Sequence, residues 1–250
     1  MSAPVLPLVN KTALVTGAGR RIGRATALAL AADGADVVVH YNRSAEAAEG
    51  TAEAVRAGGR RAWALQCDLG DPSAAGALMD RAVAEAGAVD ILVNNASAFT
   101  TDVITEATPA RIEASIRLHA EAPLLLSRAL AAQGRSAHVV NLLDARVVDY
   151  DRGHASYHLG KRMLLTLTRI LAMELAPQVA VNAVAPGAIL PPPDAEQSDL
   201  EKLADAAPLR RVGSVESVTD AVRFLVTRRF VTGQVLYVDG GRHMKGRMYE

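Results

Sequence analysis

The chain has 250 residues, half of them hydrophobic and 22% charged, and its formal net charge is zero. That length supports a large single core. The neutral balance excludes an overall field that would draw the protein to nucleic acid or an acidic membrane, so any anion selectivity must be local. Cys67 is the only cysteine, which leaves no intrachain disulfide or multi-thiolate metal site to expect.

In chain order, short β-rich runs alternate with longer Ala- and Leu-rich segments of helical period. Strands are predicted at 12–16, 36–40, 61–66, 90–94, 137–143, 179–185 and 234–239. Most are nearly continuous apolar runs, as in strands buried on both faces. Helices are predicted at 21–33, 45–57, 72–86, 109–133, 154–176 and 214–228, the first stopped by Asp33-Gly34. The alternation predicts an α/β, doubly wound parallel sheet in one domain over 1–250. The opening MSAPVLPLVNK lacks the regions of a signal peptide, and no run is long enough to span a membrane. A soluble, cytoplasmic protein is expected.

The region 186–213 is the least regular. Pro191, Pro192 and Pro193 cannot continue a helix or a central strand. The region follows a strand end and reads as a substrate-covering loop with a short helix, the alternative being an inert surface excursion.

The segment TGAGRRIG (16–23) places Gly17, Gly19 and Gly23 between a strand and a helix. Backbone amides there can face a phosphate, helped by the helix N-terminus. Arg21 takes a position where such loops commonly carry glycine. The second strand ends in HYNRS (40–44), without the acid that holds the ribose of NAD. Arg43 and Ser44, with Arg20 or Arg21, are suited to a 2′-phosphate, which predicts NADP(H). Tyr157 and Lys161 in YHLGK share one helical face. The ammonium is expected to lower the phenol pKa from about 10 and ready Tyr157 as a proton donor. His154 and His158 have metal-like spacing, but no third ligand beyond Tyr157 lies in that segment, so no metal is expected. Met163 and Met173, with Leu164, Leu167 and Leu171, read as a core stripe or a subunit interface.

TGAGRRIG, CDL (67–69), NNA (94–96), YHLGK and PG (186–187) occur in an order and spacing that resembles the short-chain dehydrogenase/reductase family over essentially the whole chain. Within it, Arg21, HYNRS, the Phe99 of NNASAF and the Asp144 of NLLD are most similar to the pteridine reductases. The resemblance implies a Rossmann-like domain with a seven-stranded parallel sheet, assembled as a homo-oligomer with a tetramer favoured. It implies cofactor contacts from Gly17, Arg20, Arg21, Ile22, Gly23, His40, Tyr41, Arg43, Ser44, Asp68, Leu69, Asn95, Ala96, Ser97, Tyr157, Lys161, Pro186 and Gly187. Asp68 and Leu69 would lie at the adenine and Lys161 at the nicotinamide ribose. Substrate contacts would come from Arg21, Ser97, Phe99, Asp144 and Tyr157, with Asp144, Tyr157 and Lys161 catalytic.

His119 stands where these enzymes carry an asparagine that helps tie a water to the lysine. Histidine has a ring nitrogen for the same task, or it closes the path. The implied reaction is NADPH-dependent reduction of a dihydropterin or dihydrofolate by hydride transfer to a C=N bond. The alternatives are a 3-oxoacyl or ketone reductase of the same family, and a non-catalytic NADP(H) sensor, which the intact Tyr157 and Lys161 disfavour.

Overall fold

The computed structural model describes residues 6–191 and 196–245. Seven strands form one parallel sheet: β1 (Thr12–Val15), β2 (Asp36–Tyr41), β3 (Ala62–Gln66), β4 (Ile91–Asn94), β5 (Ala137–Leu142), β6 (Val179–Pro186) and β7 (Val235–Val238). Their order is β3-β2-β1-β4-β5-β6-β7. Every predicted strand is present, and the family-implied sheet is the observed one. The order reverses between β1 and β4, and open α/β sheets bind ligands beyond the strand ends at such a point.

Helices α1 (Arg21–Ala32), α2 (Ala45–Ala57) and α3 (Pro72–Ala86) follow the first three strands. Then come α4 (Pro109–Ile116), α5 (Ala122–Ala132), α6 (Ala155–Glu174), the short α7 (Gln197–Glu201) and α8 (Val215–Thr227). Side chains alternate across the sheet, so both faces are filled. Leu30, Val37, Val39, Ile91 and Val222 pack on one side. Leu14, Val38, Leu78, Leu92 and Leu126 pack on the other. Each fully buried side chain of this size contributes about 1.5–3 kcal/mol.

The predicted helix over 109–133 is not uniform. A single π turn, Arg117–Glu121, separates α4 from α5. Its cause is Pro123, which has no N–H for the carbonyl of His119 and whose ring would collide with it in a regular helix. Widening by one residue relieves that conflict and leaves His119 buried at 2% exposure. The α6 stripe also divides. Leu164 and Leu171 are buried, while Met163 and Met173 are exposed on the other face, so the methionines are not core.

After β6 the chain holds α7 and a 3-10 turn at Ala204–Ala206, the short helical element expected in 186–213. Pro192, Pro193 and Asp194 lie outside the described residues. Among the described residues, no helix is long and apolar enough to cross a membrane.

Helix α6 approaches α4 and the π turn through Gly160. A Cβ there would lie 2.8 Å from Ser115 Oγ and 2.9 Å from the Ser115 carbonyl oxygen. A Cβ at Gly50, in α2, would meet nothing within 4 Å. Gly160→Ala should therefore lower the unfolding free energy by about 1 kcal/mol or more through overpacking. Gly50→Ala should raise it by up to about 1 kcal/mol through helix propensity. Urea denaturation of the two variants checks the opposite signs.

Candidate active site

The carboxyl ends of β1 and β4 open into a cavity of about 1290 Å³. Every residue expected from the sequence to touch cofactor or substrate lines it, from Gly17 and Arg20 to Pro186 and Gly187. Not all of them meet a ligand through their side chains, and the differences are informative.

The floor is the β1–α1 loop. Gly23 allows α1 to start directly beneath that loop: a Cβ there would fall 2.3 Å from the Gly17 carbonyl oxygen. The Gly17 amide does not face the cavity. It donates to His40 Nδ1 at 3.1 Å, while His40 Nε2–H donates to the Cys67 carbonyl at 3.0 Å. Burial pulls the His40 pKa down to about 4, so the ring is neutral. His40 is therefore a brace under the loop: both its nitrogens are committed within the protein, and it lines the cavity without a ring nitrogen to offer. Asn95 also braces, its amide nitrogen donating to the carbonyls of Thr16 at 2.8 Å and Gly17 at 3.2 Å. The amides of Arg21, Ile22 and Gly23, in the first turn of α1, have no intrahelical acceptor by helix geometry and provide the anion-binding end.

The rim beside β2 carries Arg20, Tyr41, Arg43 and Ser44. The Ser44 hydroxyl makes no capping bond to α2. Asp68 is held by Asn42 Nδ2 at 3.1 Å and the Gly70 amide at 2.9 Å, next to buried Leu69. These amides, cations and hydroxyl, without partners among the described residues and with no acid after β2, fit a dinucleotide bearing a 2′-phosphate.

Arg21 has φ +54°, in the left-handed region, which costs a non-glycine residue about 1–2 kcal/mol. Its Nη2 donates to the Pro191 carbonyl at 2.7 Å, so one residue spans the glycine loop and the chain that follows β6.

At the other end, Asp144 follows β5. Its Oδ1 accepts from the Arg146 amide at 2.7 Å and its Oδ2 from the Tyr157 hydroxyl at 3.0 Å. Asp144 thus caps a turn and partners the tyrosine at once. The expected lowering of the Tyr157 pKa is reversed. Burial first, and then the Asp144 charge, raise it well above its ordinary value. Lys161 Nζ instead donates to the Leu142 carbonyl at 2.6 Å and lies 5.8 Å from the Tyr157 ring centroid. Burial draws the Lys161 pKa down to about 8.

Of the two roles open to His119, the geometry leaves the second. Its Nε2 accepts from the Ala98 amide at 3.3 Å and the Ser97 hydroxyl at 3.0 Å. An N–H donor fixes that nitrogen as the acceptor, so Nδ1 carries the proton and donates to the Ser115 carbonyl at 3.0 Å. Burial lowers its pKa to about 3, helped by the Lys161 charge. The ring is neutral, saturated and without a site for a water. Ser97, whose hydroxyl proton is engaged here, has only acceptor capacity left for a ligand.

Phe99 is 48% exposed. One face stacks on His154 at 3.9 Å between centroids, and Tyr157 meets the ring at 84°.

Residues the sequence reading left out also line the cavity, including Arg242, His243 and Lys245 after β7. Their signal was positional, since they follow a strand end on the ligand side of the sheet. Asp102 had no local signal. It accepts from the Ser156 amide at 3.0 Å and from the Ser156 hydroxyl, across 54 residues, fixing the start of α6. Among the described residues no group of three or more His, Cys, Asp or Glu is placed to hold a metal.

Residues 17–243 match the family described as Enoyl-(Acyl carrier protein) reductase. The chain belongs to the short-chain dehydrogenase/reductase family. It is 34% identical to a 3-oxoacyl-[acyl-carrier-protein] reductase of Synechocystis sp. over 244 residues, covering 95% of this chain and 98% of the relative. Two crystal structures of FolM Alternative dihydrofolate reductase 1 are similar, both in complex with NADP. The Brucella canis protein is 33% identical, with TM-score 0.89 and 98% of each chain covered. The Brucella suis protein is also 33% identical, with TM-score 0.91, covering 97% of this chain and 98% of that one. As a short-chain oxidoreductase with these rim cations and no acid after β2, the protein uses NADP(H).

Lys161 is charged below about pH 8 and neutral above it. A contact that needs the ammonium is therefore present below that value and lost above it. The kcat/KM for NADPH should fall about tenfold per pH unit above about pH 8. Lys161→Met should remove that break, weaken NADPH below about pH 8 and converge with the parent above it, as read by steady-state kinetics and nucleotide fluorescence.

Proposed function

We propose that the protein reduces a pteridine-type ring, a dihydropterin or dihydrofolate, to the tetrahydro form with NADPH. The supporting observation is the Tyr157–Asp144 pair at 3.0 Å beside Phe99, in the cavity that also gathers the dinucleotide residues. In the commoner reductases of the family, by resemblance, a serine stands at position 144 and polarises a ketone. An ionised carboxylate only accepts hydrogen bonds, so it serves a carbonyl oxygen poorly and a ring N–H well. An aromatic face such as that of Phe99 suits a flat heteroaromatic ring.

NADPH, when bound, supplies the hydride to the carbon of a C=N bond. The nitrogen of that bond must then gain one proton. Tyr157 holds its proton firmly, and releasing it beside ionised Asp144 would place two negative charges within hydrogen-bond distance. The phenol proton therefore leaves only as the ring nitrogen takes it, and Asp144 Oδ2 orients the hydroxyl that gives it. Lys161, held by Leu142, positions the ribose, and Arg21 meets both phosphate and ring. Because His119 offers no path, the pair is refilled from the cavity side.

Carbonyl reduction is the second reading, favoured by the similarity to the 3-oxoacyl reductase. Assembly into a homo-oligomer, a tetramer by resemblance, is supported by the exposed apolar residues Met163, Ile170 and Met173 on α6.

NADPH oxidation with dihydrobiopterin and dihydrofolate should exceed that with acetoacetyl thioesters and a ketone panel. Silence on pterins with turnover of any ketone would overturn the reading, and tight NADPH binding without any turnover would mark a sensor. Asp144→Ser should cost about 100-fold in pterin kcat while NADPH affinity changes less than about threefold. Arg21→Gly should keep the fold, relieve about 1 kcal/mol of backbone strain, and raise the pterin KM.

A further inference from the structure

Six residues close a ring of contacts around the substrate end of the cavity. Tyr157 donates to Asp144, and Asp144 accepts from the Arg146 amide. The Arg146 guanidinium meets Asp151 Oδ2 at 2.5 Å, and the same oxygen accepts from His154 Nδ1 at 2.9 Å. His154 stacks on Phe99 at 3.9 Å and 22°, and Phe99 returns edge-on to Tyr157 at 4.9 Å. Asp151 is itself fixed, its Oδ1 taking the Gly153 amide at 2.9 Å. The arginine and the loop amide hold its carboxyl below the usual range despite burial, so it is an acceptor only and His154 Nδ1 must carry a proton.

His154 does not line the cavity, whereas Phe99 does. The imidazole is therefore a backing plate. It occupies one face of Phe99 and leaves the other to the ligand. Phe99, on the loop after β4 and 48% exposed, has two aromatic partners among the described residues, the face of His154 and the edge of Tyr157. Isolated stacking of this kind contributes modestly, but it fixes geometry as well as energy.

We infer that His154, held by Asp151, is a positioning residue that sets the plane of Phe99 and so selects flat-ring substrates. This rests on the proposed site insofar as Phe99 is taken to face the substrate. Asp151 has a second consequence in the same device. By carrying both Arg146 and His154, it ties the aromatic wall to the turn that presents Asp144, so that wall and proton donor keep one spacing.

The test is His154→Ala beside His154→Phe, which keeps an aromatic face without the hydrogen bond. In His154→Ala, the pterin KM should rise about 3–10-fold, kcat should change less than about twofold, and NADPH affinity should be unchanged. His154→Phe should restore the KM to within about twofold of the parent. Crystal structures should show the Phe99 ring displaced in His154→Ala and returned in His154→Phe. An unmoved Phe99 with unchanged KM overturns the inference, as does a KM lost equally in both variants. If the parent protein turns over no pterin, the proposed function fails by itself. The Phe99 ring position, together with the KM for a planar aromatic ketone against an acyclic one, still decides the role of His154. Loss confined to the planar ketone supports it, and equal loss overturns it.

Discussion

One hydroxyl holds the crevice together. Thr16, at the end of β1, accepts through Oγ1 from the Asn95 and Ala96 amides at 2.9 Å each, and its own proton points at the Val93 carbonyl. Asn95 and Ala96 directly follow β4, the strand across the reversal of sheet order. A parallel pair normally parts where its ladder stops, and the last polar groups are then left for water. Here the seam is extended by one residue on each side. The glycine loop leaves β1 at a fixed angle to the loop that carries Ser97 and Phe99. The Asn95 and His40 braces add to the same seam, so the glycine loop and the loop carrying Phe99 are parts of one hydrogen-bonded corner.

The ionisable groups buried around that corner are kept simple. His40 and His119 are neutral, each with both nitrogens occupied, and burial is the largest cause in both. Among the described residues, Lys161 alone is a buried lysine or arginine, and it bonds to a backbone carbonyl rather than to the tyrosine. That choice separates two tasks that the spacing of Tyr157 and Lys161 suggests are shared. The lysine is anchored to β5, and the carboxylate of Asp144 partners the phenol.

Much of this was legible in the sequence. Strands such as DVVVH and AHVVNLL announce themselves because a strand buried on both faces must be apolar throughout. The residues lining the cavity were likewise legible, since glycines, cations and a missing acid each have a local physical meaning. What escaped was direction. HYNRS shows a histidine near a cofactor, but whether its ring points into the cavity or beneath the loop depends on the Cys67 carbonyl from another strand. The sign of the Tyr157 shift depends on burial and on Asp144, thirteen residues away, and a helical spacing reports neither. The Asp102–Ser156 clasp joins segments with no shared pattern at all. Pro123 was visible, and its effect on the 109–133 helix follows from its chemistry, but the period of the surrounding apolar residues masks it.

The π turn that Pro123 causes is equivalent to one extra residue in a helix. Each residue advances an α-helix by about 100°, so the face presented by α5 is rotated by about that amount relative to α4. Leu126 and Leu130 reach the sheet on one side of this phase step, and His119 reaches Ser97 at it. A straight helix through the same positions would satisfy one of these alignments and turn the other away. The irregularity is thus a change of gear between two packing surfaces, and the support that His119 gives to Ser97 and Ala98 depends on it.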